Sequence, residues 1–390
     1  MSITVLSGSP LVATPVYNKM LFKVSGSLIA QPNYRYVCDV KNPAGTTLAR
    51  LKCDKLPTTN FGFFDVQKVV ETLVAPTAPS LTQTGFVDHS GFYSGYRLDF
   101  TQEYGNTPAV TGATTTVSGV MAFAGNLEQL ELAGWSLDTY FRFGNTFTLV
   151  RPLTTPTDFT VYHGGSNFLA INGTKYVAAG FDSWLVSARV NYKSVNYDFA
   201  VSPSLSGTTD FNIQRFACGP AQLSGSITAL SGAVEGDSYT VRFVSNASSQ
   251  SPPTTFTFGP CQRFDSIPVH FVNKYGGIDS YTFTMKNRKR ANIQREVYGY
   301  NSDVYATTTY NKVWAGSFDF VYALNSDWLT DAESEWLIEM VRSGYVWLEL
   351  DGQLVEAVVN ANQYQFVTRR NDRLTQLQIE VAVAYDNSIL

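Results

Sequence analysis

Residues 269–295 read VHFVNKYGGIDSYTFTMKNRKRANIQR, and this stretch decides the fold. Val269-His270-Phe271-Val272 and Ile278 to Phe283 are short runs rich in β-branched and aromatic residues, and Tyr275-Gly276-Gly277 between them supplies the glycines a reversal uses. The spacing predicts strand, turn, strand. Tyr281, Phe283 and Met285 alternate with Thr282 and Thr284, the period of a strand with one buried face. A block of cations follows, Lys286, Arg288, Lys289, Arg290 and Arg295, which reads as a solvated loop or hairpin tip. The whole stretch reads as a built surface, with Tyr275, Gly276, Gly277 and Asp279 as its turn motif and the five cations as its candidate interface. His270 is its sole histidine and Asp279 its sole acid, a pattern without a nucleophile and base at useful spacing.

The same period of two recurs along the chain. Tyr34, Tyr36, Cys38 and Val40 lead through Asn42-Pro43-Ala44-Gly45 into Leu48 to Cys53, which predicts a hairpin. Val346 to Leu350 and Gln353 to Val359 flank Asp351-Gly352, a pair that accepts the positive φ angles of a type I′ turn. Phe318/Phe320/Tyr322 and Leu377/Ile379/Val381/Val383 alternate in the same way. Helices are few. Thr330-Asp331-Ala332-Glu333 forms a capping box that predicts a helix over 331–343, with Trp336, Leu337, Met340 and Val341 as a stripe facing a sheet. Shorter helices are expected over 65–74, stopped by Pro76, and over 124–132. The fold class is mainly β: an N-terminal β-sandwich over 1–122 with a short helix beside it, a β-rich middle domain or insertion over 123–210, and a sandwich-like domain with the capped helix over 211–390.

With 390 residues the chain suits two or three domains, each able to bury a core. Charged residues make up 15% of it against a usual ~25%, and aromatics 14%, a balance suited to packed sheets and to surfaces that meet other proteins. The net charge of -4 argues against a general nucleic-acid binder, so any cationic role is local. Cys38, Cys53, Cys218 and Cys261 show no CxxC spacing and His89, His163 and His270 lie far apart, so neither a metal nor a cofactor is indicated. The cysteines read as free buried thiols, although Cys38 and Cys53 can face each other across the first hairpin. The opening MSITVLSGSP lacks a basic n-region and a long apolar core, and no run reaches the ~18 apolar residues of a membrane span. These features are expected of a chain made and folded in a cytoplasm.

Chemistry is weakly signalled. Gly236-Asp237-Ser238 resembles an esterase nucleophile block and His163-Gly164-Gly165 an oxyanion loop, but a G-x-S-x-G elbow and a downstream Asp-x-x-His partner are missing. A turn and a glycine-rich loop explain them. Asp331, Glu333, Glu335 and Glu339 can be read as glycosidase carboxylates, yet acids at a helix N-terminus follow from its dipole.

Cys261, the run Val269 to Phe283, the basic stretch ending in Arg295-Glu296, Trp328, Glu333, Leu337, Val346-Trp347-Leu348 and the closing Arg373 to Ala382 together resemble virion structural proteins of tailed bacteriophages, including crAss-like ones. The likeness covers about the last 130 residues, more loosely FACGPAQL at 216–223 and residues 33–64, and not the middle region. It departs at Ile278, where that family carries an aromatic residue. The resemblance implies a non-enzymatic building block of the particle, in the tail or its tip or baseplate. The role expected from this together with the composition is a subunit that assembles with its copies into a symmetric ring and partners other virion proteins, linking tail to fibres. A second expectation is a carbohydrate-binding module that meets a host surface glycan through the aromatic and neutral polar residues of 162–176.

Overall fold

The computed structural model describes residues 3–8, 13–135, 152–172, 186–200, 213–245, 250–300, 310–360, 375–383 and 388–389. The chain is mainly β, and among the described residues its strands form five sheets. In the N-terminal unit, β1 (Thr4–Gly8), β3 (Leu21–Ser25) and β6 (Gly62–Asp65) make a three-stranded sheet. Opposite lies a five-stranded sheet ordered β2 (Ala13–Pro15), β9 (Ala109–Phe123), β8 (Tyr93–Tyr104), β4 (Arg35–Lys41) and β5 (Thr47–Asp54). Phe22 and Phe64 from the first sheet each meet Phe100 from the second at 5.9 Å between ring centroids, which makes this unit a sandwich.

The second sandwich-like unit packs a five-stranded sheet against an eight-stranded one. The former is ordered β10 (Asp158–Val161), β16 (Thr254–Phe258), β15 (Ser238–Ser245), β12 (Val186–Tyr192) and β13 (Val195–Ala200). The latter is ordered β18 (Ile278–Phe283), β17 (Ile267–Val272), β21 (Val346–Leu350), β22 (Gln353–Val359), β23 (Thr375–Val383), β20 (Tyr310–Leu329) and β19 (Arg288–Tyr300), with β24 (Ser388–Ile389) paired to β20. Phe159, Tyr239, Val241 and Phe256 from one sheet and Phe271, Leu324, Leu348 and Val381 from the other share one core.

A second three-stranded sheet joins the two units. In it β14 (Ile213–Ala217) lies between β11 (Phe168–Asn172) and β7 (Phe86–Asp88), so strands from far-separated parts of the chain pair side by side. Its alternation serves both cores at once: Leu169, Ile171 and Phe216 enter the second core, whereas Phe168, Ala170, Ile213 and Ala217 enter the first. The hairpin of β17 and β18 does likewise, with Val269 and Phe271 in one core and Val272 and Ile278 in the other.

This arrangement corrects the expected partition. The stretch 123–210 does not stand apart among the described residues, because β10 pairs in parallel with β16 and β12 pairs with β15, both partners lying beyond residue 210. Composition could not reveal this, since the partners are distant in sequence.

Local structure follows local chemistry. Helix α4 (Asp331–Arg342) has its capping box closed: Glu333 N donates to Thr330 Oγ1 at 3.3 Å and Thr330 N to Glu333 Oε2 at 2.8 Å. Asp351 and Gly352 take φ of 51° and 73°, as the hairpin of β21 and β22 requires. The helix expected over 65–74 is the shorter α1 (Gln67–Glu71), a run in which β-branched valines favour helix weakly. The one expected over 124–132 is displaced to α2 (Gln129–Ala133), since Asn126 N donates to Lys274 O and Leu127 N to Asn18 Oδ1. A further short helix, α3 (Pro220–Leu223), is not among those expected, although Pro220 at its first position and Gln222 at its third are start signals. All four cysteines are free; Cys53 lies opposite Tyr36 and Cys38 opposite Leu51, so the two thiols are out of register, and Cys261 is exposed rather than buried.

Candidate functional site

The turn motif is an internal joint. Asn273 opens it: its Oδ1 accepts from Tyr275 N at 3.0 Å and Gly277 N at 2.9 Å, while its Nδ2 donates to Leu153 O at 2.6 Å. Lys274 O accepts from Asn126 N. Both glycines are required here. Gly276 has φ of +80°, and a Cβ on Gly277 would stand 2.4 Å from Leu153 O. Tyr275, Gly276, Gly277 and Asp279 are all buried, which corrects the reading of this stretch as an outward surface. Two sandwiches meet at this loop, so the glycines serve the close approach of backbone to backbone.

Beside the joint lies a cleft of about 840 Å³ between α4, α2 and residues 17 and 71 of the first unit. Its polar groups answer one another. Lys274 Nζ stands 2.6 Å from Glu131 Oε1 and 3.7 Å from Glu339 Oε1. Glu339 also accepts from Thr155 Oγ1 at 2.6 Å and from Lys274 N at 3.2 Å. Burial, with Glu131 nearby, raises the Glu339 pKa, and the Thr155 and Lys274 bonds oppose that shift. At the rim Arg342 pairs with Glu128 at 2.9 Å. Carboxylates so engaged hold elements together, and Glu339 ties α4 to Thr155 and to the backbone of Lys274 at the joint. Sequence reasoning missed Asn273 and Lys274, whose one signal was their place directly before the glycine turn.

Asp279 is 1% exposed on β18. Its Oδ2 accepts from Trp336 Nε1 at 2.8 Å. Burial first, then the charge of Glu339, pushes its carboxyl up to about 7, against the lowering effect of Trp336, Thr154 and Asn273. His270 is fully buried, with Nδ1 2.7 Å from Ser280 Oγ and Nε2 3.5 Å from Glu349 Oε2.

The cations lie elsewhere and in a different form. Arg288, Lys289, Arg290 and Arg295 belong to the strand β19, which corrects the expected loop for these four, whereas Lys286 lies in the connection between β18 and β19. Lys289 Nζ sits 3.9 Å from the centre of the Phe320 ring, and Arg290 pairs with Glu380 at 3.1 Å. Lys286, Arg288 and Arg290 line a concavity of about 600 Å³ together with Phe264, Asn325 and Gln378. The structure therefore separates the turn motif from the cations: one is a joint, the other an edge.

Other residues singled out in the sequence take local structural contacts. Asp237 accepts from Val234 N and Tyr192 OH, each at 3.1 Å, and Gly236 takes φ of +84°, so Gly-Asp-Ser is a turn leading into β15. His163 Nε2 rests 3.0 Å from Ala233 O. Glu333 is spent on its cap. Among the described residues no group of three His, Cys, Asp or Glu stands close enough to share a metal ion. Tyr162 is half-buried, with Gly259 packed against its ring, while Tyr176 lies outside the described residues. Among the described residues no helix is long and apolar enough to cross a membrane.

Neither a family model nor a curated protein matches the chain. Among solved structures it is similar to the plexin A4 full extracellular region, with 10% identity and a TM-score of 0.20, over 66% of this chain and 24% of that one. It is also similar to fibronectin(III)-like modules of Clostridium thermocellum CbhA (8% identity, TM-score 0.17, covering 66% and 93%) and to the chicken CNTN1 FN1-FN3 domains (7%, 0.19, 97% and 97%). Scores this low carry no argument about function.

Proposed function

We propose that the chain is a non-enzymatic structural subunit of a bacteriophage virion, a tail or tail-tip adaptor that assembles into a symmetric ring and links the tail to fibres. One observation carries the assembling part of this reading. The hairpin of β19 and β20 continues past the sheet that supports it. β20 pairs with β23 from Val321 onward, yet its pairing with β19 runs on from Phe320↔Ala291 to Tyr310↔Tyr300, roughly 30 Å at ~3.4 Å per residue. Over most of that length the described residues offer it only the short contact of β24 at Gly316 and Ser317.

The face that looks into the core at Tyr322 and Leu324 continues outward through Phe320, Phe318 and Ile293, and Ile293 and Val297 are 55% and 56% exposed. A two-stranded ribbon is marginal alone in water, and one with an apolar face gains stability when a neighbour covers it. The virion setting is supported by the sequence resemblance of the last 130 or so residues, which include this ribbon.

The experiment is light scattering of the purified chain over a range of concentrations, with negative-stain images of the same sample. A closed ring of fixed number is the expected result. A monomer at every concentration would overturn the self-assembling reading.

A further inference from the structure

Among the described residues the outer edge of β19 is open. It is the last strand of its sheet, hydrogen-bonded along its length to β20, and among the described residues no strand pairs its other side. Open edges are templates for strand addition, and cations placed on them restrict which strand is admitted. Residues two apart share a face, so Arg288 and Arg290 project together from β19, and Lys286 joins them in lining the same concavity. Among the described residues lining it none is an acid; Asn325, Gln376 and Gln378 are neutral. The one carboxylate paired there, Glu380 on Arg290, is half-exposed and held at 3.1 Å, a contact that a stronger acceptor displaces readily. A second copy of β19 would set these cations against their like, which disfavours self-pairing at this edge.

We infer that β19 accepts an extended acidic segment of a partner protein as an added strand, with carboxylates at alternate positions meeting Lys286, Arg288 and Arg290. The inference names a kind of partner for the assembly reading and rests on that reading only for the presence of neighbours. The apolar face of the ribbon serves copies of the chain, and its edge serves another protein.

The test uses the full chain and a fluorescein-labelled ten-residue peptide of alternating Glu and Thr, with binding read by anisotropy. Two comparison probes carry similar charge: the same peptide with two Thr replaced by Pro, which cannot donate to a strand ladder, and a six-nucleotide oligothymidylate, whose phosphodiesters equal the peptide's carboxylates in number. Expected are binding of the alternating peptide, a loss of tenfold or more in R288E/R290E, and a two- to threefold gain in Glu380→Gln. All three substituted residues are exposed, and circular dichroism verifies that the variants fold. Absence of binding, or equal affinity in R288E/R290E, would overturn the inference. Equal binding of the proline peptide or the oligonucleotide would overturn it too, since the patch would then be a general polyanion surface. Light scattering reports separately on self-assembly, so a monomer that still binds the peptide sinks the ring and leaves the edge standing.

Discussion

Trp336 on α4 donates its indole N–H to Asp279 Oδ2 on β18 at 2.8 Å, a bond between two buried residues that fixes the helix to the hairpin at the joint of the two units. Asp279 Oδ1 has no closed hydrogen bond, and neither has the buried Thr154 hydroxyl near it. The carboxyl is raised from 3.8 to about 7 by burial and then by Glu339. Across that window the folded state holds a proton that the unfolded state has released. Stability contributed by this group is therefore complete below the unfolded value and is lost as pH rises toward 7, at up to about 1.4 kcal/mol per unit. Asp279→Asn keeps an acceptor for Trp336 and removes the charge. We expect the variant to gain stability over the parent, more at pH 8 than at pH 4, in urea melts at both values. An equal difference at both pH values would show that the carboxyl is not the source.

The joint itself is tested at Gly277. A Cβ there would lie 2.4 Å from the Leu153 carbonyl oxygen and 3.0 Å from Asn273 Nδ2, so the loop or residue 153 must move. Overpacking of this kind costs roughly 1–3 kcal/mol. Gly277→Ala is expected to lower stability by that amount in chemical denaturation. It should also separate the melting of the two units where the parent shows one transition. A variant that melts as the parent does would mean that the loop does not couple them.

Asp99 gives the opposite pH dependence. Burial alone would raise its pKa, but Lys41 at 2.6 Å, Arg97 at 2.9 Å and the Thr116 hydroxyl at 2.7 Å outweigh that and hold it at about 2. Its contribution is present above the unfolded value of 3.8 and is lost as pH falls toward 2. Asp99→Asn is expected to cost about 1–2 kcal/mol at pH 7 and to flatten the acid limb of the stability curve between pH 4 and 2. An unchanged acid limb would assign acid unfolding to other carboxylates.

What the sequence disclosed is what local chemistry controls. The Asp351-Gly352 hairpin and the Thr330 cap were legible because a few adjacent residues determine each. The pairing of β10 with β16 was not, since Phe159 finds Phe256 across nearly a hundred residues without a local signal. The cationic strand was read as a loop for a related reason. Period-two alternation reports burial of one face, and residues 288–297 are exposed on both, so the signal a strand usually leaves is missing. At the joint, Gly276 and Gly277 marked a turn, but sequence could not tell an exposed turn from one pressed against Leu153 and Phe123.

Ile293 separates assembly from folding. It stands directly across from Phe318 on the ribbon, whose ring meets Phe320 at 5.2 Å, and it is more than half exposed. If a neighbouring copy covers this face, burial of the side chain contributes about 25 cal/mol per Å² of apolar area to association and almost nothing to the monomer. Ile293→Ser should leave the melting temperature within about a degree where the chain is monomeric, because a surface substitution of this kind usually lies within about 0.5 kcal/mol. The same change should shift the assembly midpoint in light scattering to a several-fold higher concentration. A parallel change at Val234, exposed in a loop of the other sheet layer, serves as the control and should shift neither. If Ile293→Ser assembles as the parent does, the ribbon face is not the contact between copies, and the subunits must meet through another surface.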